Sequence, residues 1–188
     1  MNDAPDPIRA GGPAVVTEGT PGGPIVLVLD PAGEAKHGGL PATWRDHPDS
    51  WRVMWCRAPA EGGLNAADEI LTDPPDSGKI VHILASGPST DAVLRLAQAH
   101  PGPVRSVLLV DPGAAGFVER GEGTDADERW EHETARQRSE LSRHGVDVRI
   151  VAHSAGGPRD RIPAPLPLGH PDVVAAVQAA VTPLSEGA

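Results

Sequence analysis

Residues 81–113 read VHILASGPSTDAVLRLAQAHPGPVRSVLLVDPG. The apolar run Lys79–Ala85 stops at Ser86-Gly87-Pro88. A run without alternation suits a strand covered on both faces, as in a parallel sheet. The next stretch, Ser89–His100, puts Val93, Leu96 and Ala97 on one face and ends at Pro101, which predicts a helix. A second apolar run, Val104–Asp111, follows at once. Strand, helix, strand in this order is the unit of an α/β fold with right-handed crossovers.

The same alternation extends in both directions. Pro24–Asp30 (PIVLVLD), Trp51–Cys56 (WRVMWC) and Val146–His153 (VDVRIVAH) predict three more strands. Asp125–His144 reads as one long charged helix with only Trp130 and Leu141 as strong apolar anchors. Pro171–Val181 places Val173, Val174, Val177 and Val181 on one face, with proline at a suitable first position. Shorter helices are expected over Ala42–Trp44 and Asn65–Leu71. The expectation is an α/β fold: a mostly parallel sheet with helices on both faces. One domain would span residues 13–182, between flexible tails at 1–12 and 183–188.

Composition narrows the function classes. The 188 residues carry 16 Lys and Arg against 26 Asp and Glu, a formal net charge of −10. No basic stretch breaks that sign, so nucleic acid and anionic membrane are poor partners. A single cysteine, Cys56, excludes an internal disulfide framework and favours the cytoplasm. The chain opens MNDAPDPIRAGGP, without the apolar core of a secretion signal. Tyrosine is absent and there is one phenylalanine, so Val, Leu, Ile and Ala must build the core around four Trp. A core of small side chains leaves room for a homodimer to add buried surface.

In open α/β sheets, ligands bind beyond the carboxyl ends of the strands. The loops there offer Asp30-Pro31-Ala32-Gly33, Ser86-Gly87-Pro88-Ser89, Asp111-Pro112-Gly113, His153-Ser154-Ala155-Gly156-Gly157 with Asp160, and Gly169-His170-Pro171.

Residues 81–113 resemble the central strand, helix and following strand of the α/β-hydrolase superfamily. PLPLGHPDVVAAVQAAV, near the C-terminus, is similar to its histidine loop and last helix. The resemblance covers most of residues 24–182. In that family the nucleophile sits on a sharp strand-to-helix turn, G-x-S-x-G. Aligning the helix through Leu94-Arg95-Leu96-Ala97 puts Gly87 at the nucleophile position, with Ala85 and Ser89 as the flanking small residues. Glycine supplies no hydroxyl and tolerates the strained backbone of that position. Family members often carry His-Gly where this chain has Asp30-Pro31. An acid there opposes an oxyanion, and proline has no N–H to offer one. His170 resembles the family's histidine, while Asp160 and Asp111 resemble positions for its acid.

These residues imply two functions. One is a non-catalytic protein, a pseudoenzyme, that binds a small molecule or a protein partner through the pocket around Asp30, Pro31, Ser86, Gly87, Pro88 and Ser89. The other is an atypical hydrolase acting on a small ester-like or carbonyl substrate, with His170 as general base oriented by Asp160 or Asp111. Each residue also has a plainer role. His170 can cap the last helix, Asp160 can pair with Arg159 or Arg161, and Asp111 can cap a turn. Ser86 sits one residue early on the turn, and Ser89 suits a helix cap. Ser154 lies in a second elbow-like stretch, but four prolines among the ten residues after Gly157 argue against the helix an elbow requires.

Eight histidines show neither His-x-x-x-His nor His-Glu-x-x-His spacing, and no phosphate-binding glycine motif is present. No metal or cofactor is implied. Cys56 reads as core. Gly113–Thr124 and the charged helix are too short for a separate lid, so a shallow, open site is expected. A third reading has the acidic helix 125–144 present Trp130 to a partner.

Overall fold

The computed structural model describes residues 12–35, 38–45, 50–58, 62–75, 80–114, 123–154, 162 and 164–182. The strands are β1 (Val15–Gly19), β2 (Ile25–Asp30), β3 (Arg52–Arg57), β4 (Val81–Ser86), β5 (Val104–Val110) and β6 (Asp147–Ala152). The helices are α1 (Gly63–Thr72), α2 (Thr90–Ala99), α3 (Gly123–Glu133), α4 (Ala135–Arg143) and α5 (Pro171–Val181). Short 3-10 turns cover Ala42–Trp44 and Gly87–Ser89.

The sheet order is β1-β3-β2-β4-β5-β6. Only β1 runs antiparallel to its neighbour; every other pairing is parallel. The fold is therefore α/β with a mostly parallel sheet. The chain passes from β2 to β3 on one side, then returns across β2 to β4 and moves outward through β5 and β6. The connections thus diverge between β2 and β4, the kind of switch point where α/β proteins place ligands. The registers Leu29↔Ala85, Ser86↔Val110 and Val110↔Ala152 bring Asp30, Gly87, Asp111 and His153 to one end of the sheet.

Alternate residues along each strand feed two cores. Ile25, Leu27 and Leu29 meet Ala67 and Leu71 of α1, Val93, Leu94 and Ala97 of α2, Trp130 and Leu141. Val26 and Val28 face the other way, onto Trp44, Trp51, Trp55 and Val173, Val174 and Val177 of α5. Two covered faces explain why these strands read as continuous apolar runs. Trp44 and Trp55 meet edge to face, with ring centroids 5.4 Å apart.

Two expectations change, and one strand is added. Strand β1 had no prediction, because VVTEG is short and half polar, as an edge strand can be. The charged segment 125–144 is two helices, not one, separated at Thr134. Here the Thr134 hydroxyl donates to the Trp130 carbonyl, a local bond that competes with helical continuity. Trp130 does not stand out on the exposed face of the helix. It is buried in the core beneath the Arg138 guanidinium, which lies 5.5 Å from the ring centroid.

Candidate functional site

Gly87 follows β4 directly and has φ +28°. A Cβ built there would lie 2.7 Å from the Ala114 carbonyl oxygen and 3.2 Å from the Pro165 ring. Backbone and proline occupy the space that a nucleophile's side chain needs. Ser86 and Ser89 flank it and are both buried. Ser89 stands at the N-cap of α2 but makes no side-chain cap bond, because its backbone is already helical (φ −90°, ψ −5°). Pro88 is exposed.

The acids at this end of the sheet are held by main-chain N–H groups. Asp30 is fully buried, and Oδ1 accepts from Ala32 N at 2.9 Å and Gly33 N at 2.8 Å. Its Oδ2 accepts from Glu34 N, from Ala35 N at 3.4 Å and from Trp55 Nε1 at 2.8 Å. Pro31, with no N–H of its own, is the residue these bonds skip. Asp111, also fully buried and at φ +44°, accepts Ser154 N at 2.9 Å and Leu166 N at 2.7 Å. Glu34 binds Leu168 N at 2.8 Å and Gly169 N at 3.1 Å. Burial, with the nearby Asp30 charge, raises the Glu34 carboxyl above its ordinary value, and the two N–H groups pull it back.

His170 caps α5. Its Nδ1 accepts from Asp172 N at 3.2 Å, and the Asp172 carboxylate stands 3.7 Å away. Asp160 lies outside the described residues. Ser154 is buried, and its hydroxyl donates to the Ile162 carbonyl at 3.1 Å. Cys56 is buried, which pushes its thiol up to about 12.

Two groupings lay outside the sequence reading. The first is a cleft of about 470 Å³ between the turn at Gly87-Pro88, the loop Pro112–Ala114 and α3, with Asp91, Arg129, Trp130 and Glu133 in its walls. Its closest seam is at Gly113, where a Cβ would lie 2.2 Å from the Ala126 carbonyl. The second is a carboxylate–imidazole pair behind that seam. Asp127 Oδ1 accepts Gly113 N at 2.8 Å, and Oδ2 lies 3.2 Å from His153 Nδ1. The Asp127 side chain is 5% exposed and that of His153 is 52% exposed. Burial raises the Asp127 carboxyl. The Gly113 N–H lowers it, the Asp111 charge raises it again, and His153 lowers it. The signal for Asp127 was its place three residues before Trp130, on the stripe that α3 buries, inside a run that otherwise reads as a solvated face.

No helix among the described residues is long and apolar enough to cross a membrane. Nor do the described residues gather three or more His, Cys, Asp or Glu around a metal position.

No protein-family model and no curated protein matches the chain. Among solved structures it is similar to the thioesterase domain from the curacin biosynthetic pathway. The TM-score is 0.38 at 14% identity, over 69% of this chain and 56% of that one. The chain thus spans little more than half the length of that domain. Strand order and direction, rather than this overlap, define the fold.

Proposed function

We propose that this chain is an α/β-hydrolase-like protein that binds a small molecule without acyl-enzyme chemistry. The observation that supports this most is the filled space at Gly87, where Ala114 and Pro165 stand within contact of any added side chain. The bonding of the acids agrees with it. Asp30 and Asp111 are engaged by main-chain N–H groups, and His170 is engaged by its own helix. The cleft beside Gly87 is where the ligand binds. Its volume falls within the ~300–1,000 Å³ range of small-molecule sites.

The Asp127–His153 pair supports a second reading, an atypical hydrolase. A buried carboxylate that holds Nδ1 leaves Nε2 of a half-exposed imidazole to take a proton from water. This pair would replace His170 with Asp160 or Asp111 in that role. Hydrolysis of p-nitrophenyl acetate separates the two readings. The binding reading expects the rate of the purified protein to match that of the His153→Ala variant. A clear excess rate in the wild type, lost in both His153→Ala and Asp127→Asn, would favour the hydrolase.

A further inference from the structure

The walls of the cleft carry charges of both signs. Asp91, Arg129 and Glu133 line it, and none of them makes an ion pair among the described residues. Arg129 and Glu133 stand four residues apart on α3, the spacing at which opposite charges on a helix meet. On α4 the same residue types at the same spacing and in the same order do meet: Arg136 Nε lies 3.5 Å from Glu140 Oε1. Arg129 instead turns its Nε toward the Asp125 carbonyl, at 3.3 Å. Trp130, 8% exposed, also lines the cleft.

We propose that this cleft takes a zwitterionic ligand of the free α-amino-acid type. The inference rests on the cleft being a binding site and names what binds there. The carboxylate end meets Arg129, on the wall that also holds the Trp130 indole. The ammonium end meets Asp91 and Glu133. Most of the remaining lining, which includes Pro88, Pro112, Ala126 and Trp130 beside the polar Thr134, is apolar and suits an apolar side chain. A peptide chain does not carry both charges on one residue, so the free amino acid fits better than a terminus.

Four probes of one shape test it: L-leucine (zwitterion), leucinamide (cation), 4-methylvalerate (anion) and 4-methylpentanamide (neutral). Binding is followed by ¹H–¹⁵N shifts of Gly87, Gly113 and the Trp130 indole N–H. Losing either charge should weaken binding about fivefold, the equivalent of a partly solvated charge contact of about 1 kcal/mol. Arg129→Gln should bring leucine down to the level of leucinamide, and Glu133→Gln toward that of 4-methylvalerate. If leucine exceeds every analogue by less than that factor, the zwitterion proposal is overturned while the cleft stands as a binding site. If none of the four moves these resonances, both readings fall.

Discussion

The turn region at Asp30, Gly87 and Asp111 and the cleft walls on α2 and α3 lie at the same end of the sheet, and both are rich in acids. They differ in what the acids touch. Asp30 accepts bonds from four backbone N–H groups and an indole, and Asp111 joins the chain after β5 to Ser154 and Leu166. Asp91 and Glu133 are exposed at the cleft and form no ion pair among the described residues. The lesson is that a carboxylate beneath a strand end is not thereby a catalytic acid. Where main-chain donors converge on it, its charge holds loops together. Where none do, as at Asp91 and Glu133, the charge faces the open cleft.

That contrast can be broken from either side. The largest effect is expected at Asp30. Asp30→Ala leaves five donors unmet, three of them in buried bonds, and should cost on the order of 4 kcal/mol in urea unfolding. A loss comparable to that of a surface mutation would show that the carboxylate is not holding the loop. Next comes Gly87→Ser, which puts a side chain at positive φ against Ala114 and Pro165. It should cost about 3 kcal/mol and create no esterase activity, measured by thermal melts and ester turnover on the same sample.

The third effect is pH-dependent and comes from the sheet's far end. Burial first, then the charges of Arg105 and Arg149, lower His82 to about 4, and Ser106 holds its Nδ1 at 2.7 Å. The native state thus resists a proton that the unfolded chain accepts near pH ~6.5. Stability is fully present above that value and is lost as pH falls toward about 4, by on the order of 2 kcal/mol relative to His82→Gln. Parallel stability curves for the two proteins across this window would contradict it. The smallest effect belongs to the cleft. Glu133→Gln should change stability by no more than about 0.5 kcal/mol in the same unfolding assay.

Much of the architecture was readable because two-sided burial writes itself as continuous apolar runs. Five strands, the last helix and the small turn at Ala42–Trp44 fall where the sequence puts them, to within two residues. β1 escaped because an edge strand needs only one apolar face, and Thr17 and Gly19 point to solvent. The candidate site was less legible. The position of Gly87 after the strand could be counted, but the atoms opposing it come from residues 27 and 78 positions later. Nothing in the local pattern announces Ala114 or Pro165. Asp30 and Asp111 were visible as acids at strand ends, whereas the donors that engage them are main-chain groups with no residue signature. Asp127 and His153 are 26 residues apart and join only through the crossover from β5 to β6.

The central claim is that no serine nucleophile operates at this end of the sheet. Incubation of the pure protein with a fluorophosphonate probe, read by intact mass beside a serine hydrolase control, tests it most directly. The account predicts a fully labelled control and no adduct on this protein. An adduct that peptide mapping places on Ser86, Ser89 or Ser154 would contradict it and make the chain a serine hydrolase with an unusual elbow.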